Sequence, residues 1–246
     1  MKLLVSDFDG TLYQNHMIDQ DTLLQIKHWQ NAGNYFIIAT GRDFPSLVEK
    51  IKHYQISPDF IIGNNGATIN QIALTKINQA MYRLLVDRIV SNEEIFQEIK
   101  ISHLSKNKIY SKRSTFTELK LKGLQNFFLE EKVIQLSVKA YSVKKASQFI
   151  EAHASDFPEV SFLGNIETID IVGSSVNKLF TIQQLIKQLE ISEKNVFTIG
   201  DGLNDWQMVN RYQSASFPWV DSLLIKAVDH QVHNVGEFIK QISYDK

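Results

Sequence analysis

Four short, largely apolar runs, Lys2–Ser6, Tyr35–Ala39, Asp59–Ile62 and Val196–Ile199, each end at a polar turn that carries glycine. Their length and content suit buried strands. Helical stretches separate them: Asp19–Ala32 closed by Gly33, one taking in Lys50–Tyr54, one through Asn177 to Glu190, one from Asp205 to about Tyr212, and a last near Gly236 to Ile242. Strands joined by such crossovers pair in parallel. The expected fold class is therefore α/β, a Rossmann-like doubly wound parallel sheet.

Between about residues 80 and 173 the rhythm changes. Amphipathic strands at Val133–Lys139 and Thr168–Val172 stand among helical stretches read at Glu93–Ile101 and Val143–Ala154. The simplest division is a core of residues 1–79 and 174–246 with an inserted α+β domain at 80–173. In the insert, Phe127, Phe128 and Leu129 form an apolar cluster suited to a core, a pocket wall or a contact surface.

Composition narrows the chemistry. The 26 Lys and Arg nearly balance the 27 Asp and Glu without long like-charge blocks, so the general electrostatic attraction that nucleic acids or anionic membranes require is missing. There is no cysteine, which removes disulfides, thiolate metal sites and cysteine nucleophiles. No stretch approaches the roughly 18 apolar residues of a membrane span, and Leu3-Leu4-Val5 is too short for a signal-peptide core. A cytoplasmic protein is expected.

Three of the strand ends concentrate reactive groups, at the edge where open α/β sheets bind ligands. Asp7-Phe8-Asp9-Gly10-Thr11 follows the first strand, and period-two geometry predicts Asp7 and Asp9 on one side with Phe8 buried on the other. Thr40-Gly41-Arg42 ends the second, offering a hydroxyl, a backbone N–H beside glycine and a guanidinium, all suited to phosphate oxygens. Gly200-Asp201-Gly202-Leu203-Asn204-Asp205 follows the strand at 196–199 and adds two more carboxylates. Asp7, Asp201 and Asp205 together offer the hard oxygens that Mg2+ prefers. Each motif also has a plain structural reading: Asp, Gly and Thr form turns, Asn204 or Asp205 suits a helix N-cap, and Lys178 suits a solvated helix face. His230 and His233 have a spacing seen in some metal sites but lack further partners. Trp206 and Met208 read as packing residues on the helix after Asp205.

In their order and their places after the strands, Asp7 to Thr11, Thr40 to Arg42, Lys178 and Gly200 to Asp205 resemble the four motifs of the haloacid dehalogenase superfamily. The insert is similar to the type-IIB cap of the Cof-like phosphatases, and Asn64-Asn65-Gly66-Ala67 to the turn those proteins carry after their third strand. The resemblance implies a Mg2+-dependent phosphatase acting on a small phosphorylated metabolite such as a sugar phosphate. In that scheme Asp7 is the nucleophile that becomes an aspartyl phosphate, and Asp9 the general acid and base. Asp7, Asp201, Asp205 and the backbone carbonyl of Asp9 are implied around the metal, with Thr40, Gly41, Arg42, Lys178, Asn65 and Asn204 around phosphate or substrate. At one position the sequence departs from the family, with Leu179 where glycine often follows the lysine.

Two other classes use the same scaffold. A phosphomutase or phosphotransferase would pass the phosphoryl group to an alcohol instead of water, and a non-catalytic binding or regulatory protein would keep the fold alone. A kinase or dehydrogenase fits poorly, since neither spacing of a Gly-rich phosphate loop follows the first strand.

Overall fold

The computed structural model describes residues 1–104, 107–110, 116 and 133–244, so the cluster of Phe127, Phe128 and Leu129 lies outside the described residues. The chain forms two compact units, one of Met1–Asn70 with Asn177–Lys246 and one of Gln71–Val176.

In chain order the first unit opens with β1 (Leu3–Ser6), α1 (Gln20–Asn31), β2 (Tyr35–Ala39), α2 (Phe44–Lys52), β3 (Phe60–Gly63) and the two-residue β4 (Thr68–Ile69). The second unit holds β5 (Ile72–Ala73), α3 (Gln79–Val90), β6 (Phe96–His103), β7 (Asn107–Tyr110), β8 (Val133–Ala140), α4 (Val143–His153), β9 (Val160–Asn165) and β10 (Thr168–Gly173). The chain then returns to the first unit with α5 (Lys178–Gln188), β11 (Val196–Ile199), α6 (Trp206–Val209), β12 (Gln213–Ser216), α7 (Ser222–Ile225), β13 (His230–Gln231) and α8 (Val235–Tyr244).

Within the first unit the strand order is β13-β12-β11-β1-β2-β3-β4. The pairs from β13 to β3 are parallel, and β4 turns back antiparallel on β3. The central strands β1, β2, β3 and β11 are buried on both faces along nearly their whole length, and their alternation sorts the core into two layers. Leu4, Phe36, Ile38, Phe197 and Ile199 pack with Trp29, Leu47 and Phe238 from α1, α2 and α8. Leu3, Val5, Ile37 and Ala39 pack on the other face with Ile182 and Leu185 of α5 and Met208 of α6. Such continuous apolar runs are what a doubly covered parallel sheet needs.

The strand order also places the site. β1 lies between β11 and β2, aligned so that Ser6 stands opposite both Ile199 and Ile38. The turns that follow all three strands therefore emerge side by side at the carboxyl edge. Helix ends are set by local chemistry: the Asp19, Asp43 and Asn177 side chains each accept a first-turn N–H of α1, α2 and α5.

The second unit is a five-stranded antiparallel sheet in the order β7-β6-β8-β10-β9. Here the structure corrects the helix expected at Glu93–Ile101, because most of that segment lies in β6. Glu, Gln and Lys favour helix locally, but Ile99 and Ile101 are fully buried between two partner strands, and tertiary pairing overrides the propensity. The helix in that region is α3, and α2 begins at Phe44, earlier than the expected stretch at Lys50–Tyr54. Among the described residues no helix is long and apolar enough to cross a membrane.

One backbone contact ties the turn after β3 to the start of α5. Gly66 has φ +102°, and a Cβ there would fall 2.3 Å from the carbonyl oxygen of Asn177. Its own carbonyl accepts the Thr181 hydroxyl at 2.7 Å. Gly66→Ala should therefore cost about 1–3 kcal/mol through the left-handed backbone alone, and more through the clash. A urea titration would show a lowered midpoint; an unchanged midpoint would refute this account of the turn.

Candidate active site

Asp7 stands one residue past β1, and its N–H extends the ladder to the Ile199 carbonyl at 2.9 Å. Alternation puts its side chain on the α5 face, while Phe8 is fully buried with Leu4 on the opposite face. Lys178, the first residue of α5, is 2% exposed, and its ammonium donates to Asp7 Oδ1 at 2.7 Å and Asp205 Oδ1 at 2.5 Å. The helix-face reading of Lys178 as a solvated residue is thereby excluded.

Asp201 enters from the turn after β11. Gly10, at φ +85°, brings the β1 turn so near that a Cβ would sit 2.2 Å from Asp201 Oδ2. The Thr11 hydroxyl donates to Asp201 Oδ1 at 2.6 Å. Thr11 belongs to the first motif, yet nothing in the sequence marked it as the residue that holds Asp201 in place. Asp205 is 1% exposed, and its Oδ2 also accepts the Gly202 N–H at 3.1 Å, which orients the carboxylate from both oxygens.

One ligand atom from each of Asp7, Asp201 and Asp205 lies within 4.8 Å of the others, so this group could hold a metal ion. The electrostatics fit a cation. Burial raises the Asp7 carboxyl well above its ordinary range, and the charges of Asp205 and Asp201 push the same way against the pull of Lys178. Burial likewise raises Asp201, with Asp205 adding to the effect and the Thr11 hydrogen bond opposing it. Burial would lower the Lys178 ammonium, but the charges of Asp205 and Asp7 and their hydrogen bonds outweigh it, so its affinity for the proton rises. Three carboxylates thus lie around one ammonium, and a hard divalent ion would supply the missing positive charge.

Asp9 does not join this group. It turns outward to Arg42, which donates from Nε at 2.6 Å and from Nη2 at 2.7 Å in a two-pronged pair. The guanidinium also lies 5.7 Å from the centre of the Phe8 ring. Arg42 is thus engaged by a carboxylate, a different setting from the phosphate contact expected of it. Thr40 is buried at the end of β2, where its hydroxyl accepts the Arg42 N–H at 3.1 Å and so keeps its own proton to donate. Gly41 lies half-buried between them.

Asn65 is buried at φ +54°, and its N–H donates to the Thr40 carbonyl at 3.0 Å. Asn204 turns its side-chain oxygen back toward Gly202. His230 packs near Phe238, while His233 is exposed beside Glu237; among the described residues neither belongs to a group of metal donors.

Comparison with known proteins places this geometry in context. The family model described as haloacid dehalogenase-like hydrolase matches residues 4–215. A protein of Buchnera aphidicola subsp. Baizongia pistaciae, named "Putative phosphatase", is 28% identical over 223 residues, covering 85% of this chain and 82% of its own length. Among solved structures, a haloacid dehalogenase-like hydrolase of B. subtilis matches with a TM-score of 0.82 at 16% identity, covering 98% of this chain and 100% of that one. A sugar phosphatase of HAD subclass IIB, BT4131, matches with a TM-score of 0.76 at 15% identity, covering 99% of each chain.

The raised carboxylates set the sign of a pH effect. Their stabilising contribution to the metal-free fold is complete below the usual carboxylate range and is lost as pH rises through their higher folded values. A bound divalent cation reverses that loss. Magnesium at a hundredfold excess over its dissociation constant should add about 2.7 kcal/mol of stability, and the resulting rise in Tm should be larger at pH 7.5 than at pH 5. Thermal melts with and without magnesium at the two pH values test this, and equal rises would refute the assignment of these carboxylates to a cation site.

Proposed function

The chain belongs to the haloacid dehalogenase-like hydrolases, and from that premise we propose that it is a phosphatase that takes the phosphoryl group of a small phosphorylated metabolite onto Asp7 and then passes it to water. The observation that carries this reading is the buried Asp7 carboxylate, tied to Lys178 on one oxygen and grouped with Asp201 and Asp205. The names of the phosphatases similar to this chain point the same way.

In this reading Asp7, Asp201, Asp205 and the backbone carbonyl of Asp9 would hold Mg2+, whose charge lets a carboxylate and a phosphate dianion approach one another. An Asp7 oxygen attacks phosphorus as the ester P–O bond breaks, and Asp9 gives its proton to the departing alcohol. Asp9 then takes a proton from water as that water's oxygen attacks phosphorus. The acyl phosphate P–O bond breaks, phosphate leaves and the Asp7 carboxylate is restored. Both Asp9 oxygens accept from Arg42 in this structure, so acid and base work requires one of them to leave the two-pronged pair and turn toward the phosphoryl group.

Lys178 and Thr40 steady the phosphoryl oxygens. Little else is needed, because phosphoryl transfer depends on in-line placement and on neutralising oxygen charge. The α+β unit of Gln71–Val176 would serve as the cap domain, with its own share in substrate choice. The 15% identity to the sugar phosphatase leaves the sugar-phosphate substrate as part of the proposal.

Phosphate release from an aryl phosphate with magnesium tests the scheme. Activity should disappear with a chelator and with Asp7→Asn, and Asp9→Asn should reduce kcat by about 10²–10⁴-fold. Turnover that survives Asp7→Asn would overturn the nucleophile.

A further inference from the structure

A cavity of about 560 Å³ opens beside Asp9 and Asp201, wholly within the first unit. That volume suits a small molecule, and the lining has an uneven chemistry. Arg42 is engaged by Asp9 through both prongs. Lys50, in the last turns of α2, is not: among the described residues no carboxylate lies within ion-pair distance of its ammonium, which sits 5.3 Å from the centre of the Tyr13 ring. Tyr13 in turn stacks on the buried Phe8, with centroids 5.5 Å apart and planes 3° from parallel. The cation is thus seated on an aromatic column rooted in the core.

Gln14 lines the same cavity. The side-chain amide nitrogen of Gln14 is buried and meets no acceptor among the described residues. A donor withdrawn from water without a partner is costly, and Gln14 bears that cost at the edge of the cavity it lines. Trp219, a residue 60% exposed, also lines the cavity, its ring stacked on Phe217 at 5.2 Å and 8°. A flat indole held in this way offers a face to the carbon skeleton of a sugar or similar molecule.

We infer that this cavity is a leaving-group subsite, in which Lys50 holds a second anionic oxygen group of the substrate, a carboxylate or a second phosphate, while Trp219 packs against its carbon skeleton. The inference rests on the phosphatase reading in one respect, that Asp9 marks the side from which the alcohol departs. It deepens that reading by giving the catalytic unit its own selection for acidic substrates, separate from any made by the second unit.

Matched pairs that differ by one acidic group supply the test: fructose 1,6-bisphosphate against fructose 6-phosphate, and 3-phosphoglycerate against glycerol 3-phosphate. With the full chain and magnesium, the acidic member of at least one pair should be favoured about tenfold or more in kcat/KM, a size in keeping with one desolvated charge contact. The pair that responds distinguishes a phosphate from a carboxylate. Lys50→Met should collapse the preference, and Lys50→Arg should keep most of it.

The same pairs titrated calorimetrically into Asp7→Asn protein, with and without Lys50→Met, read the subsite independently of turnover. Tighter binding of the acidic member that is lost with Lys50→Met upholds the subsite even if no compound is hydrolysed, in which case it is the phosphatase reading that fails. Turnover with equal affinity for both members, or a Lys50→Met effect equal on both, overturns the subsite and leaves the phosphatase reading standing.

Discussion

The buried ammonium of Lys178, shared between Asp7 and Asp205, is the contact on which the rest of this site depends. Two carboxylates withdrawn from water beside a third would repel, and the desolvation of each alone is worth several kcal/mol. One cation cannot neutralise all three, so the arrangement remains short of positive charge. This shortage couples structure to chemistry, because a group of carboxylates short of positive charge could hold a metal ion.

The fold serves this contact by delivering each charge on a separate rigid element. Asp7 arrives on the central strand β1, Asp201 and Asp205 on the turn after the neighbouring β11, and Lys178 on the first residue of α5. Close backbone approaches lock these pieces together. Gly10 admits the Asp201 carboxylate, and Gly66 admits the Asn177 carbonyl. Where the carboxylates sit is therefore decided by packing rather than by the carboxylates themselves, whose mutual repulsion would move them apart.

Much of this was legible in the sequence because the signals were local. Tyr35–Ala39 and Val196–Ile199 are observed strands with the bounds their apolar runs suggest, and Asp19 caps α1 as an aspartate before a helical stretch should. Other features depend on tertiary partners. Ile99 and Ile101 alternate weakly amid helix-favouring residues, and only β7 and β8 make that segment a strand. Trp206 was expected to pack as Met208 does, yet it is 41% exposed whereas Met208 is fully buried, a difference that depends on where α6 meets the sheet. The pairing of Arg42 with Asp9 joins two motifs that a linear reading treats separately, and Lys50 gives no local sign of lining the same cavity.

The place of β1 between β2 and β11 has a consequence for how the chain acquires its structure. A nascent chain emerging from the ribosome presents β1, β2 and β3 early, but the partner of the other edge of β1 follows only after the whole of Gln71–Val176. Until then the hydrogen-bonding edge of the strand that will carry Asp7 has no neighbour, and Leu3 and Val5 lack the cover of α5. Such delayed, long-range pairing slows folding and leaves an exposed edge open to wrong partners. Asp7 is synthesised long before Lys178, so that a partly made chain carries the aspartate without the lysine that holds it.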